Sequence, residues 1–166
     1  MSKDTKILNL NHPVGLSNDN LQNNLINLEK IYGNSFYIKW NNMNLLFYLD
    51  KNIHEPFFLH TNKTKFYNNI KFYRLRFYID DFLRNNPLVI DFIDPITLKL
   101  NENCCLEYLD ATDEYSDKEL INLGFEICKK LKVKKMITAD HDHKYLSMLN
   151  FIENNKTYYM GFGFKI

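Results

Sequence analysis

Four consecutive residues, Asp140-His141-Asp142-His143, bring two imidazoles and two carboxylates together, the side chains used for metal ligation and proton transfer near neutrality. A metal site needs ligands converging from separated positions, whereas neighbours in a tetrapeptide point different ways, so the stretch is expected to be a polar loop without metal. Were the stretch functional, His141 or His143 would be the candidate general base, because an unperturbed imidazole titrates where such a base must work. Asp110, Asp113 and Glu114 form a second acidic group, which together with Asp140 would make an acidic mouth or a set of solvated loop acids. The adjacent Cys104 and Cys105 lie in an apolar run with no basic neighbour to stabilise a thiolate, and structural thiols are expected. The aromatics Phe66, Tyr67, Phe72, Tyr73, Phe77 and Tyr78 interleave with Lys71, Arg74 and Arg76. That pattern suits either a base-stacking platform or a core covered by arginine stems, and the second is expected.

These residues need elements to position them. Ser17 as a cap, Leu21, Leu25, Leu28 and Ile31 at helical spacing and Gly33 as the stop predict a helix near 18–32. Residues 35–40 and 44–49 are aromatic-rich runs joined by Asn41-Asn42, which tolerates the backbone of a tight turn, and a hairpin is predicted. The alternation through Tyr73, Leu75, Phe77 and Ile79 predicts a half-buried strand, followed by helix near 80–84. Leu88–Ile93, closed by Asp94-Pro95, is expected to pair with Thr97–Leu100 as a second hairpin, and Cys104–Leu109 to be a buried strand.

Ser116 or Asp117 can cap a helix whose stripe is Leu120, Leu123, Ile127, Cys128 and Leu131 and whose end is cationic. Met136–Ala139 then forms a short strand, so strand, helix and strand make a βαβ unit with parallel strands. Another helix from Asp142 or His143, carrying Leu146, Leu149 and Ile152, and a final strand over 158–166 complete the prediction.

In bulk terms the chain has 166 residues, net charge +1 and 45% hydrophobic residues, and is expected to be a single domain over 1–166. Its mean hydropathy of -0.39 reflects abundant Asn, whose excess beside Lys, Ile, Tyr and Phe suggests AT-rich coding, as in giant DNA viruses of protists and some protozoa. So small a net charge argues against a nucleic-acid partner, leaving Lys129, Lys130, Lys132, Lys134, Lys135 and the shorter Lys71, Arg74, Arg76 as local clusters. Three cysteines without metal or disulfide spacing suit a reducing compartment. The polar start, Met1 to Lys6, leads into no long apolar run, so an intracellular protein without a membrane partner is expected.

The order of elements from Leu106 onward, ending in Tyr159-Met160-Gly161-Phe162-Gly163-Phe164, resembles the cofactor-binding half of the GNAT superfamily of N-acetyltransferases. Tyr159, Gly163 and Phe164 match that family's ending of Tyr, three residues, Gly-Phe, and Lys132 to Ile137 resembles its entry into the next strand. The resemblance covers about 60 residues, less than a typical domain. It implies an α+β (α/β) fold with a mixed, largely antiparallel central sheet, flanking helices and the βαβ unit in the C-terminal half. It also implies acetyl-CoA as cofactor, held near Leu109, Tyr115, Ser116 and Lys118, with Tyr159 as general acid for the departing thiolate.

Two features depart from the family. Its pyrophosphate-cradling Arg/Gln-x-x-Gly-x-Gly/Ala turn is replaced by Glu114-Tyr115-Ser116-Asp117-Lys118-Glu119, which has no glycine and three acids. The chain also ends two residues after Phe164, where the family continues into a hairpin. The leading expectation is therefore an acetyltransferase-like domain with a degraded acyl-CoA site. The alternatives are a noncatalytic interaction or virion component and a metal-dependent hydrolase centred on Asp110, Asp140 and His141. A small molecule, a protein and a second copy forming a homodimer all stay open as partners.

Overall fold

The computed structural model describes residues 6–12, 16, 20–51, 56–58, 64–66, 72–78, 87–138 and 159–165, with backbone alone for 56–58, 64–66 and 159–160. The elements are β1 (Lys6–Asn9), α1 (Leu21–Tyr32), β2 (Ser35–Trp40), β3 (Met43–Lys51), β4 (Pro56–Phe58), β5 (Thr64–Phe66), β6 (Tyr73–Tyr78), β7 (Leu88–Phe92), β8 (Asn103–Leu109), α2 (Asp117–Leu131) and β9 (Lys135–Thr138). A short 3-10 turn, Tyr159–Phe162, follows. The fold is α+β, with a seven-stranded open mixed sheet in the order β1-β2-β3-β6-β7-β8-β9, and a separate β4-β5 hairpin.

The five central strands are antiparallel, and the outer pairs, β1 with β2 and β8 with β9, are parallel. A parallel neighbour needs a crossover, and a helix supplies it at each edge. Four reversals separate β2 from β8, so β1 and β8 run the same way and both crossovers step in the same direction across the sheet. Right-handed crossovers then place both helices on one face. They share one core there, which takes Leu25 and Leu28 from α1, Leu120, Leu123 and Ile127 from α2, and Phe36, Phe47, Phe77, Ile90 and Leu106 from the strands. The buried amide of Asn24 donates through Nδ2 to the carbonyl of Leu131 at 3.0 Å, tying α1 to the last turn of α2 and satisfying a carbonyl that the helix end leaves without an internal partner.

Helix α1 starts at Leu21, later than the predicted 18, because the Asn20 side chain caps it by accepting from Gln22 N and Asn23 N; Ser17 lies outside the described residues. Gly33, at φ 81, closes it as expected. The β2-β3 hairpin turns at Asn41 (φ 51), as its sequence predicts. The strand over Tyr73–Tyr78 forms, but it is covered on both faces: Leu75 and Phe77 enter the core while Arg74 and Tyr78 are buried on the other side.

Two predicted strands are corrected. Thr97–Leu100 is turn and loop, and the partner of β7 is β8 itself. Asp94 explains this: its Oδ1 accepts from Ile96 N (2.8 Å) and Thr97 N (3.2 Å), and its backbone exchanges bonds with Leu98 and Lys99, curling the chain where a strand would have to extend. At the C-terminus, Tyr159–Phe162 forms a 3-10 turn instead of a strand, and Gly163 at φ 101 redirects the chain so that Phe164 meets Phe125 of α2, ring centroids 5.8 Å apart. The helices predicted near 80–84 and from Asp142 or His143 fall outside the described residues, as do Ile79, Ala139 and the Asp140–His143 tetrapeptide.

Candidate functional site

Strand β8 delivers the chain to the start of α2 through a loop held by its own hydrogen bonds. A register shift against Val89/Ile90 pairs Ile90 with Leu106 and Val89 with Tyr108, leaving Glu107 as the extra residue. Such a bulge re-aims the strand that carries it. It turns Leu109 fully into the core, three residues after Leu106, and exposes Glu107 and Tyr108. Beyond it, Asp110 N donates to Pro87 O (2.9 Å), and Thr112 Oγ1 accepts from Glu114 N (3.2 Å) and Tyr115 N (2.9 Å).

Tyr115 packs half-buried against the core, and Ser116 begins the helix. Ser116 Oγ accepts from Glu119 N at 3.1 Å, while Glu119 Oε1 accepts from Ser116 N at 3.4 Å and Ser116 Oγ at 3.2 Å. This reciprocal capping box stabilises the helix start by about 1 kcal/mol or more.

The four predicted cofactor positions, Leu109, Tyr115, Ser116 and Lys118, are thus gathered where β8 ends and α2 begins, but their chemistry is poor for an anion. The Leu109 side chain is sealed in the core, Ser116 is engaged with Glu119, and Lys118 is exposed on the first turn. An N-terminal helix end attracts anions through unpaired N–H groups and the dipole. Here the Glu119 N–H is occupied by Ser116, the Glu119 carboxylate folds back onto Ser116, and Asp110, Asp113 and Glu114 are exposed in the loop that leads into the helix. The residues present do not fit a coenzyme A pyrophosphate.

Of the two predicted catalytic residues, Tyr159 starts the 3-10 turn, with its side chain outside the described residues, and His141 lies outside them altogether. The 159–165 segment lies against α2 through Phe162 and Phe164. Among the described residues, no three His, Cys, Asp or Glu side chains gather to hold a metal ion. Asp110, the described member of the hydrolase alternative, accepts from Tyr108 Oη at 3.2 Å.

The remaining chemically notable groups belong to the scaffold. Cys104 and Cys105 are buried; Cys104 Sγ lies 3.7 Å from Cys128 Sγ, and this contact together with burial holds its thiol well above the usual range. Burial also pushes the Cys105 thiol up. Neither environment favours a nucleophilic thiolate.

On the face without a described helix, Arg74 makes a fork with Asp91, Nε to Oδ1 at 2.6 Å and Nη2 to Oδ2 at 2.9 Å, with Asp91 fully buried. Arg76 bonds Asp50 and Tyr78 Oη and lies 5.9 Å and 5.5 Å from the ring centroids of Tyr48 and Tyr78. Both arginines are engaged in protein contacts: Arg76 lies over tyrosine rings as a covering stem would, whereas Arg74 is itself buried in its pair with Asp91, on the sheet face opposite Phe77, and Phe66, Tyr67 and Lys71 have no described side chains. The Arg74–Asp91 pair escaped the sequence because it depends on cross-strand register, which places Arg74 opposite Asp91. Set against protein-family models, curated proteins and solved structures, the chain matches none.

Proposed function

We propose that the chain is an acetyltransferase-like domain that has lost the acyl-CoA site and acts without acyl transfer. The observation that carries this reading is the start of α2. A β8-α2-β9 crossover offers the arrangement in which open α/β sheets take ligands, at the carboxyl end of a strand and the amino end of a helix. In this chain that opening is occupied by a Ser116–Glu119 capping box and approached through an exposed loop that carries Asp110, Asp113 and Glu114. The same carboxylates that stabilise the helix through its dipole repel a phosphate. A binding or scaffolding role follows, in an intracellular setting and with a viral source as the compositional bias suggests.

The test is release of free coenzyme A from acetyl-CoA in the presence of a panel of primary amines and lysine peptides. The expected result is release no faster than without protein. Amine-dependent release that Tyr159→Phe abolishes would overturn the reading and make the chain an enzyme.

A further inference from the structure

We infer that the turn between α2 and β9, together with the β7-β8 loop, forms a surface that docks on anionic lipid membranes. The small net charge conceals a strong separation along α2. Acids surround the helix start, while Lys129, Lys130, Lys132, Lys134 and Lys135 crowd its other end. The helix dipole accounts for Lys129 and Lys130, which lie in the last turn. Lys132, Lys134 and Lys135 lie beyond the helix, where the dipole has no claim on them.

Lys132 is the cap residue, in a left-handed conformation (φ 69) that glycine adopts with less strain. A lysine placed there at a conformational cost points to a use for its charge. Among the described residues Lys134 is paired with Glu102, and no carboxylate is ion-paired with Lys129, Lys130, Lys132 or Lys135.

The second observation is the neighbouring loop. Lys134 N donates to Glu102 O at 2.7 Å and β9 pairs with β8, so the β7-β8 loop lies at the same end of the sheet. β7 is two strands from β9, roughly 10 Å across the sheet. This loop exposes Ile96 (63%), the most exposed large hydrophobic of the described residues, with Lys99 also exposed. Asp94 holds the loop in one shape by accepting from Ile96 N, Thr97 N, Asn101 Nδ2 and Asn103 Nδ2. Against six lysines the two segments carry three carboxylates, Asp94, Glu102 and Glu126, and Asp94 is buried and turned into its own loop.

Neither segment has an aromatic or an arginine, the groups that stack on bases or grip phosphate in a fork. Lysines as point charges beside a rigid aliphatic tip suit a phospholipid surface, with the charges at the headgroups and Ile96 at the acyl boundary.

The experiment is co-sedimentation of the full chain with phosphatidylserine-containing vesicles and with pure phosphatidylcholine vesicles, at low and high salt. Single-stranded RNA serves as competitor. Binding to the anionic vesicles alone, weakened by salt, is expected. Lys132→Gly/Lys135→Gln, whose glycine suits the left-handed cap, should weaken binding roughly 25-fold, at about fivefold per lysine. Ile96→Ser should weaken it about fivefold without changing the salt dependence. Equal sedimentation with neutral vesicles, full binding by Ile96→Ser, or displacement by RNA would each overturn the inference.

Discussion

Burial of Asp94 disfavours its charge, yet the hydrogen bonds from Asn101, Asn103, Ile96 N and Thr97 N outweigh burial and hold its carboxyl below the ordinary 3.8. A group with a depressed folded pKa stabilises the fold above its unfolded pKa and loses that contribution as pH falls through the folded value. Asp94→Ala removes both acceptor oxygens and should cost about 2–3 kcal/mol at neutral pH, as for hydrogen bonds to a charged group. The gap between the melting curves of wild type and Asp94→Ala should narrow in acid, below the ordinary 3.8. A gap that stays constant down to about pH 2 would show that the carboxylate's charge contributes nothing. Asp91 differs in kind: it is fully buried in a fork with Arg74, so its charge is compensated by one guanidinium opposite it in the sheet. Neither role can be read from the sequence, because both depend on which residue a fold brings opposite.

At the scale of elements, legibility followed local chemistry. The βαβ unit could be read because α2 has an apolar stripe, a Ser-x-x-Glu start and a lysine-rich end, signals that agree with one another. The β2-β3 hairpin was legible for the same reason, with Asn41 in the turn. The parallel β1 was missed because its four residues, Lys-Ile-Leu-Asn, are too few to show a period, and β1 gains its place only by pairing with β2. Thr97–Leu100 looks extended in sequence, but the Asp94 side chain competes for its backbone.

The C-terminal Gly163 gives a prediction at this scale. Both Gly161 and Gly163 have open space around an added Cβ, so crowding does not separate them, but only Gly163 has a positive φ, of 101. Gly163→Val should therefore lower stability by about 1–3 kcal/mol through backbone strain, and Gly161→Val by much less. Urea unfolding of the two variants checks this; equal midpoints would mean that the turn into Phe164 adjusts freely and that Gly163 has no special backbone role.

At the scale of the molecule, two helices on one face among the described residues and two parallel edge pairs leave the end of β8 next to the start of α2, and the loop and first turn there are rich in carboxylates. A phosphate charge about 4 Å from one carboxylate meets repulsion of roughly 4 kcal/mol at a protein surface. That is about half the free energy of a micromolar complex. Isothermal titration with acetyl-CoA tests this most directly, on the wild type and on Asp117→Gly/Glu119→Gly, with circular dichroism to confirm that α2 persists without its capping box. No measurable heat of binding is expected for the wild type, and binding is expected in the variant, where the two carboxylates of the first helical turn are gone. Tight binding by the wild type would contradict the loss of the acyl-CoA site.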